Sequence, residues 1–312
     1  MSFRQRLDRV SPERETVITI GVFDGVHRGH AHLLQHLISA AGTAYQPTVI
    51  TFANHPVTVL QPGRQVSLIT TLERKEGLIR EMGIDQIVSL EFTEELARIS
   101  AREFVGLLQD KLLMKGLVIG SDFALGRDRE GNSDRLAELG KELGFSVEIV
   151  EPLLLDGLLV KSRVIRQRLN DGEVSVSNHL LGRTFSLAGP VVTGDKRGRT
   201  LGFPTANVNV SKTMAHPADG IYATWALVDG ERRPSATSIG VRPTFGLTER
   251  LVEVYILDFD GDLYGRELEV EFVDKLRDQE TFSSLEALVE QINRDVVNTR
   301  ETLAISGGAH GP

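Results

Sequence analysis

The sequence predicts two domains of different class: an N-terminal α/β unit built on a Rossmann-like parallel sheet, then a small β-barrel with a C-terminal helix. Three observations predict this. The 312 residues exceed what one hydrophobic core usually serves. The first half alternates strand-like and helix-like segments, the order that produces a parallel sheet covered by helices. The second half breaks into short apolar runs separated by Gly and Pro, with one helical stretch near its end.

In the first half, residues 17–23 read as a buried strand. Residues 28–41 follow with Leu33, Leu34, Leu37, Ile38 and Ala41 on one helical stripe, and 47–52 read as the next strand. Helical periodicity returns near 72–82, 101–114 and 133–143, with strands expected at 86–90, at 117–120 and from 147. Around 170–178 an Asn-Asp-Gly turn and polar residues interrupt the pattern, so the boundary is drawn between 1–172 and 173–305. Beyond it, strands are expected at 184–192, 220–228, 236–240, 253–259 and 267–272, and a helix over 284–303. Residues 306–312 read as a disordered tail.

Composition narrows the chemistry. Hydrophobic residues at 41% and charged residues at 25% describe an ordinary folded protein. A formal charge of -8 argues against a nucleic-acid partner, so an anionic ligand must meet a local site. The absence of cysteine excludes disulfides, thiolate catalysis and cysteine-ligated metal centres. The first ten residues carry four charges, and the apolar stretch 152–160 is short and interrupted by Asp156. Neither a signal peptide nor a membrane span is read, and a cytoplasmic location is expected. Nothing in the sequence sets an oligomeric state.

Residues 21–30, GVFDGVHRGH, lie at the junction of the first strand and helix. Glycines there let backbone amides approach an anion, and a helix N-terminus adds about half a positive charge, so the natural reading is a phosphate site. On a helical wheel His30 falls on the apolar side, whereas His32 and His36 fall on the solvated face. Two plainer readings remain open: capping or buried structural histidines, and a metal site made from His27, His30 and Asp24.

The same ten residues resemble a known family. HxGH after an apolar strand is the signature of the nucleotidylyltransferase superfamily, and GxFDGxHxGH resembles the bacterial bifunctional riboflavin kinase/FAD synthetases. VIGSDFALGRDREGN at 118–132 is similar to the family's VxGxDFxFGxxxxGN, and TFANHP at 51–56 to its TFxPHP. The resemblance implies attack of an FMN phosphate oxygen on the α-phosphorus of ATP, with pyrophosphate leaving. His27 and His30 would act at the phosphates, and Gly21, Phe23, Asp24, Gly25 and Asp122 would line the nucleotide site. Phe52 and Phe123 would meet the flavin. Two departures stand out: Leu125 replaces an aromatic, and VKSRVIR at 160–166 replaces ISSTxIR. Ser162 and Arg166 are retained as nucleotide contacts, while Lys161 and Arg163 either substitute for the lost hydroxyl donors or obstruct the site.

Between 189 and 207 the chain reads GPVVTGDKRGRTLGFPTAN. Its glycine spacing is neither a Walker A loop nor a dinucleotide fingerprint, so alone it says only that backbone approaches something closely. LGFPTAN, however, resembles the defining motif of the riboflavin kinases. By that resemblance Thr205 and Asn207 hold Mg²⁺ and the ATP phosphates, the loop from Gly194 to Thr200, with Gly198 in it, closes over the nucleotide, and Glu253 is the base for the ribityl 5′-hydroxyl. Arg277, in KLRDQETF, resembles a family arginine near the flavin; its plainer reading is a surface ion pair. The resemblance therefore implies riboflavin, FMN and ATP as substrates, with Mg²⁺, and two activities in one chain. The alternative is a riboflavin kinase whose N-terminal domain has become a scaffold or regulator.

Overall fold

Thr16–Ile20, the β-branched run TVITI, is buried at every position. Such a run suits the centre of a parallel sheet, where both faces are covered. The computed structural model describes residues 2–194, 198, 201–244 and 247–307, and divides them into units within Met1–Ser162 and Arg163–Pro312. This division falls earlier than the boundary at 172 drawn from the sequence.

In chain order the first unit contains α1 (Phe3–Asp8), β1 (Thr16–Ile20), α2 (Arg28–Ala41), β2 (Gln46–Phe52), α3 (Pro56–Leu60), α4 (Leu72–Glu81), β3 (Gln86–Leu90), α5 (Glu94–Arg98), α6 (Ala101–Leu112), β4 (Met114–Gly120), β5 (Ala124–Leu125), β6 (Gly131–Asn132), α7 (Ser133–Leu143), β7 (Ser146–Val150), β8 (Leu154–Leu155) and β9 (Leu158–Leu159). The main sheet has the order β3-β2-β1-β4-β7, all parallel. Strand alternation sends Ile18, Ile20, Ile50, Leu117 and Ile119 to one core, and Val17, Val49 and Val118 to the other. Leu34 and Leu37 of α2 cover the second core, and Phe104 and Leu108 of α6 cover the first.

Two expected boundaries shift for local reasons. The strand expected to reach 23 ends at Ile20, because the chain turns through positive φ at Phe23, Gly25 and Val26. The helix expected to reach 114 ends at Leu112, where Leu113 takes a left-handed conformation and Met114 already begins β4.

The second unit follows α8 (Ser162–Asn170), which begins at the division, with α9 (Val174–Leu181), β10 (Phe185–Val192), β11 (Ala206–Val208), β12 (Gly220–Val228), β13 (Glu231–Thr244), β14 (Leu247–Ile256), β15 (Glu267–Arg277) and α10 (Leu285–Gly307). Six antiparallel strands close a barrel in the order β10-β11-β14-β13-β12-β15. Phe185, Leu187, Tyr222, Val252, Val254, Val270 and Phe272 are buried in this unit. Three buried hydroxyls are satisfied by one another, Thr224 Oγ1 lying 2.8 Å from Ser235 Oγ and 2.7 Å from Thr237 Oγ1. The segment expected to be a turn region does turn at Gly172, then folds into α9, whose Ser- and Val-rich sequence has weak helix propensity. Ser306 and Gly307 continue α10, and the rest of the expected tail lies outside the described residues. Among the described residues no helix is long and apolar enough to cross a membrane.

Candidate active sites

The strand order reverses direction of growth between β1 and β4, and in open α/β sheets the crevice beyond the strand ends at such a switch point takes the ligand. The loops leaving β1 and β4 carry residues 21–27 and 121–123, and that leaving β2 begins at Ala53. Most of the predicted N-terminal site residues therefore share one edge of one sheet.

His27 is the N-cap of α2 and is buried; its Nδ1 accepts the His30 amide at 3.1 Å. With Nδ1 as acceptor, the neutral ring carries its proton on Nε2, which is thereby a donor. The His30 ring stacks on the His27 ring at 3.6 Å between centroids and meets the Phe23 ring edge-on at 5.1 Å. His32 and His36 form a separate pair, with His36 Nδ1 2.6 Å from Glu148 Oε1. Among the described residues no group of three or more His, Asp or Glu is arranged to hold a metal ion.

The glycines have packing reasons that anion binding alone does not supply. A Cβ on Gly29 would lie 2.8 Å from the Val160 carbonyl oxygen, so Gly29 lets α2 close against the segment before α8. Gly25 sits at φ 85°, a conformation that side chains disfavour. The buried Asp24 does structural work: its Oδ1 accepts the amides of Ile69 at 2.9 Å and Thr70 at 3.2 Å. Ser162 Oγ donates to the Asp24 carbonyl at 2.9 Å, joining the start of α8 to the same loop. Asp122 is exposed and pairs with Lys161 at 2.6 Å. Phe52 ends β2 and packs edge-on against Phe92, and Phe123 and Leu125, both partly buried, pack against the first core. Arg166 lies past the division between the units.

In the barrel, Asn207 on β11 is the cross-strand partner of Glu253 on β14, and Glu253 is also paired with Ser238 on β13. Directly opposed residues point to one face, with Cβ atoms roughly 5 Å apart. A Cβ on Gly194 would strike the Asn207 side chain, and one on Gly198 would strike the Phe203 carbonyl and lie 3.5 Å from Thr205 Oγ1. Gly194, Gly198, Thr205, Asn207 and Glu253 are thus neighbours. The remainder of the expected 194–200 loop, residues 195–197 and 199–200, lies outside the described residues. A cavity of about 350 Å³ opens beside Thr205, walled by Pro204, Phe259 and Tyr264. Arg277 makes a two-pronged ion pair with buried Asp295 on α10, Nε to Oδ1 at 2.9 Å and Nη2 to Oδ2 at 2.7 Å. Its guanidinium is thus engaged with α10, in an ion pair largely withdrawn from the surface.

Comparison with known proteins draws the two sites together. Residues 10–164 match the family model for FAD synthetase, and residues 181–303 match that for riboflavin kinase. The bifunctional riboflavin kinase/FMN adenylyltransferase of Escherichia coli strain K12 is 36% identical over 299 residues, covering 95% of this chain and 95% of the relative. That of Pseudomonas fluorescens is 40% identical over 310 residues, covering 98% and 99%.

The chain belongs to the bifunctional riboflavin kinase/FMN adenylyltransferase family.

A solved structure described as a macrolide-efflux protein from Streptococcus pneumoniae shares the architecture, with TM-score 0.89 at 30% identity over 96% of this chain and 97% of that one. The FAD synthetase domain thus corresponds to the α/β unit and the riboflavin kinase domain to the barrel. One polar residue of the FAD synthetase domain escaped sequence reasoning. Lys75 is 5% exposed, and its Nζ donates to the carbonyls of Val22 at 3.0 Å and Phe52 at 2.8 Å. Burial pushes this ammonium down to about 8, against the opposing fields of Asp24 and Glu76. The signal was present: Lys75 stands three and four residues before Leu78 and Ile79, on the buried stripe of α4. In the riboflavin kinase domain, Gln279, whose Nε2 donates to Ser238 Oγ at 3.0 Å, and the 259–264 cavity wall were also missed.

Proposed function

We propose that the riboflavin kinase domain phosphorylates riboflavin through Glu253, Asn207 and Thr205, and that the FAD synthetase domain adenylylates the resulting FMN around His27 and His30. The pairing of Asn207 with Glu253 across β11 and β14 carries this reading. It sets a carboxylate beside a neutral oxygen donor, as proton removal next to a bound triphosphate requires.

In the first step Glu253 takes the proton of the ribityl 5′-hydroxyl as that oxygen attacks the γ-phosphorus; the bond to the β-phosphate oxygen breaks and ADP leaves. The Thr205 hydroxyl and the Asn207 amide oxygen are hard donors that suit Mg²⁺. Bound there, the ion would neutralise charge on the β- and γ-phosphates. The cavity beside Thr205 has the size and mixed lining of a small-molecule pocket, and it suits the nucleotide base.

In the second step a phosphate oxygen of FMN attacks the α-phosphorus of ATP, and pyrophosphate leaves. The side chains mainly position the phosphates and neutralise their charge. His27 donates from Nε2, and His30, held against it, reaches the same phosphates. Phe23, Gly21 and Gly25 shape the loop; Phe52 and Phe123 offer apolar faces to the flavin. The Lys161–Asp122 ion pair is solvent-exposed and worth roughly 0–1 kcal/mol, so a triphosphate readily takes Lys161 from Asp122. This favours substitution for the lost hydroxyl donors over obstruction. Arg277 acts by holding the end of β15 to α10. A cytoplasmic location, where ATP is plentiful, suits both reactions.

Isotope tracing tests the assignment. With riboflavin and ATP labelled at the γ-phosphorus, label is expected in FMN and FAD; with label at the α-phosphorus, FAD is the one flavin expected to carry it, the rest remaining in ADP. α-Label in FMN, or γ-label absent from it, contradicts the scheme.

A further inference from the structure

We propose that Lys75 is a positioning residue for adenylyl transfer: its ammonium clamps the ends of β1 and β2 and keeps a positive charge beneath the loop that meets the phosphates. The inference rests on reading the β1–α2 loop as the adenylyl-transfer site.

Lys75 reaches the sheet from α4, and both of its acceptors lie where a strand gives way to a site loop. Val22 stands between β1 and the His27–His30 turn, and Phe52 is the last residue of β2, before the Asn54–His55 segment. Thr51 Oγ1 donates to the same Val22 carbonyl at 3.1 Å, so the two strand ends are tied at one point. The ammonium adds to this tie a second one, from α4, that reaches both loops.

Stability alone does not account for a lysine here. The two groups that accept from it are neutral carbonyls, which repay only part of the cost of removing a charge from water. The charged groups whose fields reach it are Asp24, from the loop after β1, and Glu76, on its own helix. Asp24 Oδ1 is committed to the Ile69 and Thr70 amides, and Glu76 accepts from Ser89 Oγ at 2.6 Å and Arg80 at 3.1 Å. An apolar side chain of similar length would fill the space at lower cost to folding. What it could not supply is a fixed cation at the ligand-binding edge of the sheet, where polyanionic substrates must be held.

The two activities of one chain give the test an internal control. With the full chain, kcat/KM for adenylylation of FMN and for phosphorylation of riboflavin is measured from about pH 7 to about pH 9.5, a range that spans loss of the Lys75 proton. Expected is a fall in the adenylylation value centred near pH 8, without a matching fall in phosphorylation. K75M is expected to abolish that break and to lower adenylylation at pH 7 by about tenfold to a hundredfold, chiefly in KM. K75R, which stays charged throughout, is expected to lose the break while keeping more of the rate. A wild-type adenylylation profile with no break near pH 8, or a break that survives in K75M, overturns the proposal. Should neither variant fold, the wild-type profile decides alone. FAD formation with a flat profile removes only the role of Lys75; no FAD from supplied FMN at any pH removes the reading of the site itself.

Discussion

The His27 ring lies flat on the His30 ring, with planes 12° apart, while its Nδ1 accepts the His30 amide. One residue therefore caps α2 and stacks on its neighbour. The two histidines separate by substitution. His30→Ala should lower FAD formation by at least about a hundredfold and leave FMN formation within about twofold. His27→Ala should do the same and also cost the FAD synthetase domain about 1 kcal/mol through loss of the cap. His27→Asn should restore the stability without the activity. Initial rates of each product and thermal unfolding of each variant check this.

Gly29 is fixed by contact rather than by backbone angle. A Cβ there would press on the Val160 carbonyl, which cannot swing aside as a flexible side chain would. Gly29→Ala should destabilise the FAD synthetase domain by about 1–3 kcal/mol and slow FAD formation, with riboflavin phosphorylation unchanged. Denaturant titration and separate product assays read the two effects.

Glu253→Gln keeps the size and strand position of the side chain and removes its basicity. Phosphorylation of riboflavin should fall by about 10²- to 10⁴-fold, whereas FAD formation from supplied FMN should persist. A variant that phosphorylates riboflavin at the wild-type rate removes Glu253 from its role.

Arg277 and Asp295 hold the end of β15 to α10. Arg277→Met would leave a buried carboxylate without its cation, a change that costs about 3–5 kcal/mol, and the double variant with Asp295→Leu should recover much of that loss. Unfolding of the riboflavin kinase domain in a double-mutant cycle measures the coupling.

Lys75 links stability to pH with a definite sign. Its ordinary value is 10.5, and burial lowers it to about 8. Between these values the unfolded chain holds a proton that the folded chain has released, so stability of the FAD synthetase domain rises with pH across this window. The gain is at most roughly 3 kcal/mol. Unfolding of wild type and K75M at about pH 7.5 and about pH 10 checks it, the rise being smaller in the variant.

Periodicity made the parallel sheet and the late strands legible, because each buried a recognisable face. It failed where the backbone left its ordinary regions, as at Phe23 and Leu113, where a left-handed turn ends an element that the side chains would continue. It also failed where an element was too short to show a period, as in β11, which holds Asn207. The histidine pair and the PTAN segment were legible as motifs. The neighbourhood of Glu253 was not, since its partner lies more than forty residues earlier and only strand register brings the two together. Lys75 stayed hidden because charge on a helix usually faces water.

One chain of this family performs two ATP-dependent steps in sequence. The most direct measurement is to incubate the purified chain with riboflavin, ATP and Mg²⁺ and to resolve FMN from FAD over time by chromatography. FMN should rise first, with ADP, and FAD should follow, with pyrophosphate. FMN accumulating without FAD, even when FMN is supplied directly, would contradict it.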